Sequence, residues 1–323
     1  MAHYLFPFAD YWWFYGLFTG LVVALLALDL GLFHRKAHSI GFREASIWTA
    51  VWAALALLFA FGLYQYTGWK FGAAAGKQAG LEFLTGYVVE WSLSLDNMFV
   101  FVLVFRYFAV PAALQHRVLF FGILGALVFR GVFVALGAAL LQYGWVVIVF
   151  GLFLILTGIQ MMVTRERQLE PEKSLIVRGL RKVLPVAAEP EGERFFLRRG
   201  GKLYATPILL ALAFIEGTDI LFAIDSVPAI FAITREPLIV YTSNVFAILG
   251  LRALYFLLAG AMTKFHLLRY GLAAVLVFVG LKMSWLNTVW HGHFPVLVSL
   301  GVIVGILGAT IGLSMAVPAK KEA

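Results

Sequence analysis

Six carboxylates stand in stretches otherwise too apolar to hold them: Asp29, Glu90, Asp96, Glu216, Asp219 and Asp225. An ionisable side chain in bilayer hydrocarbon costs at least a few kcal/mol, which makes each a candidate functional group. Three bases, Arg130, Arg252 and Lys282, lie in similar stretches and fit charge compensation or coupling. Pairing each base with an acid leaves three carboxylates that need another cation or protons. The chemistry this predicts is metal binding or a proton relay. Glu90, Asp96 and Asn97 come from the run EWSLSLDN, and Glu216, Asp219 and Asp225 from EGTDILFAIDS. Together they form a hard-oxygen donor set, suited to Mg²⁺, Ca²⁺ or Mn²⁺ better than to Cu⁺ or Zn²⁺. Ser94 and Ser226 add hydroxyls, and Met98 adds a thioether that would matter only if Mn²⁺ must be told from Mg²⁺. Met98 is otherwise an ordinary packing residue.

Glu90 and Asp96 are six residues apart, as are Asp219 and Asp225. At about 100° per residue each pair lies about 120° apart around a straight helix. Convergence therefore predicts helices that break in mid-span. Pro228 is the plainest breaker, Gly217 loosens the same helix, and Ser92, Ser94 and Asn97 compete for backbone hydrogen bonds in the other.

The elements that must position these groups are membrane helices. The 323 residues are 62% hydrophobic and 13% charged, and their mean hydropathy is +0.92. That leaves too little polar surface for a soluble globule of this size. Nine stretches are long and apolar enough to span, at about 12–33, 46–66, 81–105, 118–140, 144–163, 206–233, 244–262, 268–289 and 295–316. The first lacks a preceding Lys or Arg and opens on Tyr11, Trp12, Trp13, Phe14 and Tyr15, an interfacial belt rather than a cleaved signal. With no cysteine, thiolate metal sites and disulfides are excluded.

The net charge of +8 reports topology rather than nucleic-acid binding. With the N-terminus outside, only Lys70, Lys77 and Arg235 fall on the outer face, and all other bases beyond the spans fall inside. The positive-inside rule thus predicts a multi-pass protein of the cell's inner (cytoplasmic) membrane, N-terminus out and C-terminus in. Residues 164–205 alone look aqueous, a cytoplasmic linker between membrane halves 1–163 and 206–323, in which 173–184 reads equally as an interfacial helix or as part of a solvated connector.

Three markers recur in the two halves in the same order: acids six apart, an Ile-Leu-Gly followed by a lone Arg (Arg130, Arg252), and GIQM from Gly158 matching GLKM from Gly280. A unit of three spans, about 81–163 and 206–290, must insert in opposite senses. The expected fold is an all-α polytopic helix bundle of about nine transmembrane helices with a three-helix inverted repeat, a plan common among secondary transporters. Asp29, followed by His34, either lines an entry path or pairs locally. His291 and His293 in WHGHF are candidates for metal capture on the outer face.

The runs EWSLSLDNMFVF, LEFLTGYVVE, YATPILLALAFIEGTDILFAIDSVPAIFAIT and TSNVFAILGLRALYFLLAG closely resemble the TerC family of integral membrane proteins, in particular its longer Alx-like branch. The resemblance implies manganese export from the cytoplasm. By position, Glu90, Asp96, Asn97, Glu216, Asp219 and Asp225 match the family's acidic motifs, and Asn244 its Ser-Asn motif. Thr218 departs from the pattern, where a Ser is expected before the Asp, but keeps a hydroxyl.

The leading expectation is Mn²⁺ efflux by alternating access. Mn²⁺ is cargo, protons are the counter-ion, and no prosthetic group is needed. Alternatives are a Ca²⁺ or other divalent cation/proton exchanger, and a non-transporting membrane partner that metallates exported proteins. Self-association or a protein partner stays open, and no nucleic acid is expected. An intramembrane aspartyl protease lacks its Gly-x-Gly-Asp motif, and an oxyanion pump suits net-negative spans poorly.

Overall fold

A computed structural model of the chain describes residues 4–28, 41–163, 174–187, 192, 194–259, 267–290 and 294–317. Asp29, His34, His291 and His293 lie outside the described residues, as does the side chain of Asp96. Hydrocarbon offers the backbone no hydrogen-bond partner, so a crossing segment must satisfy its own N–H and C=O groups, as a helix does. The first membrane half is α1 (Phe8–Leu28), α2 (Phe42–Phe71), α3 (Ala73–Tyr107), α4 (Ala112–Leu140) and α5 (Gly144–Val163). The short helix α6 (Leu175–Val183) and a hairpin, β1 (Phe196–Arg199) and β2 (Lys202–Ala205), follow. The second half is α7 (Pro207–Phe231), α8 (Pro237–Ala259), α9 (Leu268–Leu281) running through a π-helical turn (Lys282–Leu286) into α10 (Asn287–Val289), and α11 (Val296–Ala316). Among the described residues, nine helices can cross a membrane by length and composition, with α9, the π turn and α10 forming one of them.

The central helices are α3, α4, α7 and α8. α3 packs along α8, α4 along α7, and α5 along α9, while α1 and α11 lie at the periphery and expose most of their apolar surface. At 35 residues, α3 is about 52 Å long, well over the thickness of bilayer hydrocarbon. It begins at Ala73, eight residues before the expected span, because α2 and α3 are separated by Gly72 alone, whose φ of 98° suits glycine. The two then cross so closely that a methyl on Gly76 would overlap the Tyr64 carbonyl and Gly68.

The linker holds more structure than a solvated connector. A helix does form within the expected stretch, as α6, and its Ile176 fills the notch left by Gly217 of α7. That glycine admits a neighbour and does not loosen its helix. β1 and β2 turn through Gly200 and Gly201, both at positive φ as a tight hairpin requires. Thr206 then starts α7: its Oγ accepts from the Leu209 N–H at 3.3 Å and donates to the Phe195 carbonyl at 3.0 Å, with Pro207 at the first helical position.

The expectation of broken helices is corrected. Both α3 and α7 run unbroken past their acidic residues. Pro228 falls in the last turn of α7, three residues before its end, where one missing backbone bond is easily tolerated.

Candidate functional site

Convergence without a break is achieved by four different helices. Arg130 of α4 is completely buried and lies between α3, α7 and α8. Its Nη1 donates to Glu90 Oε1 of α3, to Ser226 Oγ of α7 at 2.8 Å and to Asn244 Oδ1 of α8 at 2.7 Å. Its Nη2 reaches Asp219 Oδ1 of α7 at 3.4 Å. Asn244 is itself aimed by a bond from its Nδ2 to the Val240 carbonyl at 2.8 Å.

Two features of this cluster matter chemically. A guanidinium Nη carries two hydrogens, yet three oxygens from three helices surround Nη1. At Nη1 the oxygens outnumber the hydrogens, while the Nε of Arg130 is buried with no hydrogen-bond partner among the described residues. In addition, Glu90 Oε2 and Asp219 Oδ2 are buried with no hydrogen-bond partner among the described residues, and the same holds for Ser94 Oγ. One fixed positive charge faces two carboxylates, and each keeps an unused oxygen.

Glu216 stands one helical turn from Asp219 and is half-buried, with Oε2 also lacking a partner. Its carboxylate presses on the backbone of α4 at Gly125, where any side chain would overlap it. This is the glycine of the Ile-Leu-Gly marker in the first half. Arg252 and Asp219 line a narrow gap of about 20 Å³ walled by Phe101, Ile123, Ile215 and Ile248, room for roughly one water.

The other predicted residues are not gathered into this cluster. Asp225 is half-buried and is not among the partners of Arg130, and Asn97 is buried on α3. Thr218 returns its hydroxyl to the Ile215 carbonyl at 2.8 Å. Met98 lies in the hydrophobic core. No group of three or more His, Asp or Glu side chains among the described residues is assembled to hold a metal.

A second polar group escaped sequence reasoning. At the end of the bundle where α2 meets α3 and α7 meets α8, a cavity of about 970 Å³ is lined by Gln78, Glu82, Thr234, Arg235, Glu236 and Lys282, among others. Glu82 receives bonds from Thr234 Oγ and from Gln78 Nε2. Glu236, in the α7–α8 connection, accepts from the backbone N–H groups of Leu5 at 2.7 Å and Phe6 at 3.3 Å, tying the N-terminal segment to this cavity. Burial lifts its carboxyl above the usual range against the pull of those two donors, and nearby Glu82 adds to the rise. Lys282 opens the π-helical turn, buried and without a hydrogen-bond partner among the described residues. The available signal was Glu82 itself, an acid beside an apolar run in LEFLTGYVVE.

Fold and cluster define the class: a multi-spanning α-helical membrane protein with charged groups sequestered between its central helices. Comparison with known proteins gives the family. The model of the integral membrane protein TerC family matches residues 75–322, and the chain belongs to that family. It is 50% identical over 299 residues to an uncharacterized membrane protein of Myxococcus xanthus, covering 92% of this chain and 90% of the relative. It is 46% identical over 298 residues to Alx of Escherichia coli (strain K12), whose name offers it as a candidate membrane-bound redox modulator, with 92% of each chain covered. An uncharacterized membrane protein of Rickettsia felis is 38% identical over 295 residues, 90% of this chain and 93% of that one. No solved structure matches the chain.

Proposed function

We propose that the chain is a divalent metal cation transporter that moves Mn²⁺ out of the cytoplasm by alternating access, in exchange for protons. The observation that carries this reading is the oxygen cage around Arg130 Nη1. Glu90, Ser226 and Asn244 converge on one point from three helices, with Asp219 beside it. Oxygen donors converging in that way suit a hard or borderline divalent ion. Arg130 is then a tethered cation that keeps the cage neutralised while cargo is absent. Incoming Mn²⁺ displaces it and recruits the unused oxygens of Glu90, Asp219 and Glu216, with Asp96, Asn97 and Asp225 on the same two helices as further ligands along the path. Carboxylates must be deprotonated to bind metal, so the same groups exchange a metal ion for protons and couple the two fluxes. The inverted relation of the two halves belongs to this proposal. Its support is the pairing of α3 with α8 and of α7 with α4, which an exchange of the halves maps onto one another.

The reading is tested by Mn²⁺ flux into proteoliposomes of the purified protein under a pH gradient. Flux is expected to rise with the gradient and to be abolished by Glu90→Gln, Asp96→Asn, Asp219→Asn or Asp225→Asn. Undiminished flux in the Glu90 or Asp219 variant would remove the cage from the mechanism. Competition by Ca²⁺ at equal concentration would favour the broader divalent exchanger, and absence of flux in the wild type would favour a non-transporting metal-delivery partner. A redox role like the one in the name of Alx cannot run through thiols in these 323 residues, which contain no cysteine.

A further inference from the structure

The cavity at the Arg235 end poses a problem that the central cage does not solve. Its floor buries two carboxylates, Glu82 and Glu236, together with the Lys282 ammonium. Glu82 is bonded by Thr234 and Gln78 and Glu236 by two backbone N–H groups, while Lys282 is only 2% exposed and bonded to nothing among the described residues. A buried charge without a partner is costly, and proteins retain one where it acts on something that comes and goes. The backbone also departs from regularity there. Lys282 begins a π-helical turn, an insertion frequent at functional sites, two residues after Gly280, which packs against the backbone of Gly151 and Ile155.

The cavity is in line with the cage. Glu82 and Glu90 are on the same helix, eight residues and so about 12 Å apart along its axis. Between them Gly86 leaves room for the buried hydroxyl of Ser243, the neighbour of Asn244, close to the backbone of α3. Oxygen groups thus mark the route at three levels: Glu82 with Thr234, then Ser243, then Glu90 with Asn244.

We propose that this cavity is a second divalent-cation station, with Glu82, Thr234 and the amide oxygen of Gln78 as its donors and Lys282 as a built-in competitor that keeps its occupancy weak. The station rests on the transport reading above and deepens it: it is where cargo pauses on its way out through the Arg235 end. The two levels share one design, a carboxylate opposed by a tethered base. The cage offers two carboxylates, Glu90 and Asp219, whereas the donors at the cavity are one carboxylate and two neutral oxygens, so the outer station gives up its ion more readily. An anion would find Lys282 only by entering the field of both buried carboxylates.

The test measures Mn²⁺ binding to the purified full-length protein by electron paramagnetic resonance titration, alongside flux in proteoliposomes. In Lys282→Met, which keeps a long unbranched side chain and removes its charge, the weaker class of Mn²⁺ sites is expected to tighten by about tenfold or more, and efflux is expected to slow because release is slower. In Glu82→Gln the weaker class is expected to disappear while the tighter class remains. Unchanged binding in Lys282→Met overturns the station whether or not Glu82→Gln folds. Inorganic phosphate that binds the wild type and is lost in Lys282→Met would make the cavity an anion site and overturn it too. If the wild type carries no Mn²⁺ flux but its weak site still tightens in Lys282→Met, the station stands and the transport reading falls. If flux is lost only in the Glu90 and Asp219 variants and both cavity variants behave as wild type, transport stands and the station falls.

Discussion

Arg130 is the residue on which the central helices agree, and its removal separates electrostatic from packing roles. Deleting one partner of a buried ion cluster strands the others, at a cost of about 3–5 kcal/mol. Arg130→Met leaves Glu90 and Asp219 facing one another without their shared base. The thermal unfolding midpoint of the purified protein is therefore expected to fall sharply. If the cage accepts a divalent ion, Mn²⁺ should restore more of the lost midpoint in Arg130→Met than it adds to the wild type, because it replaces the missing charge. Equal Mn²⁺ shifts in the two proteins would show that Arg130 and the metal do not share a place. Gly125 makes the complementary case. Gly125→Ala inserts a methyl where the Glu216 carboxylate lies, and overpacking of this kind typically costs about 1–3 kcal/mol. The expected outcome is a folded protein with weakened Mn²⁺ binding. Binding unchanged from wild type would remove the Glu216 carboxylate from the site.

At the scale of elements, the most intimate contact is the crossing of α5 and α9. A methyl on Gly151 would meet the Gly280 carbonyl and Ser284, and one on Gly280 would meet the Gly151 carbonyl and Ile155. Helices without a hydrophobic drive between them associate by close approach of small residues. Gly151→Leu should therefore lower the unfolding midpoint far more than Gly301→Leu on α11, where nothing lies within contact distance. Similar losses in both variants would mean that the crossing is not a packing point. The same contact shows what was legible beforehand. Gly158 and Gly280 were visible as repeat markers, and each does lie against the opposite helix. Span number and amphipathic α6 were legible because hydrocarbon thickness and helical period leave direct imprints on composition. The helix breaks are absent because rotation about one helix axis is not the only route to convergence: Glu90, Arg130, Asp219 and Asn244 meet from four axes. Glu82 was missed because the apolar stretch begins near residue 81, which put this acid at a membrane edge. In the folded chain α3 begins at Ala73, so Glu82 lies about 14 Å into its helix and is buried.

For the whole molecule, the distribution of basic residues and the placement of the two polar levels make one joint claim about direction. The Arg235 end carries the open cavity, and the other end carries α6, the hairpin and most of the exposed bases of the linker. The positive-inside rule predicts the cavity outside and the linker in the cytoplasm, and under the proposed transport cargo bound at the cage would then leave past Glu82. Because the 323 residues contain no cysteine, single cysteines report this orientation without background. Lys77 and Arg235 are exposed at the cavity end, and Lys182 and Arg198 are exposed on the linker side. A membrane-impermeant thiol reagent applied to intact cells should label Lys77→Cys and Arg235→Cys, and should reach Lys182→Cys and Arg198→Cys only after the membrane is permeabilised. The opposite pattern would reverse the sense of the molecule. It would leave the cage and the cavity in place but make the Glu82 level an entrance from the cytoplasm rather than an exit. Labelling at both ends of intact cells would indicate mixed insertion, and an exporter built on a single orientation could not then work.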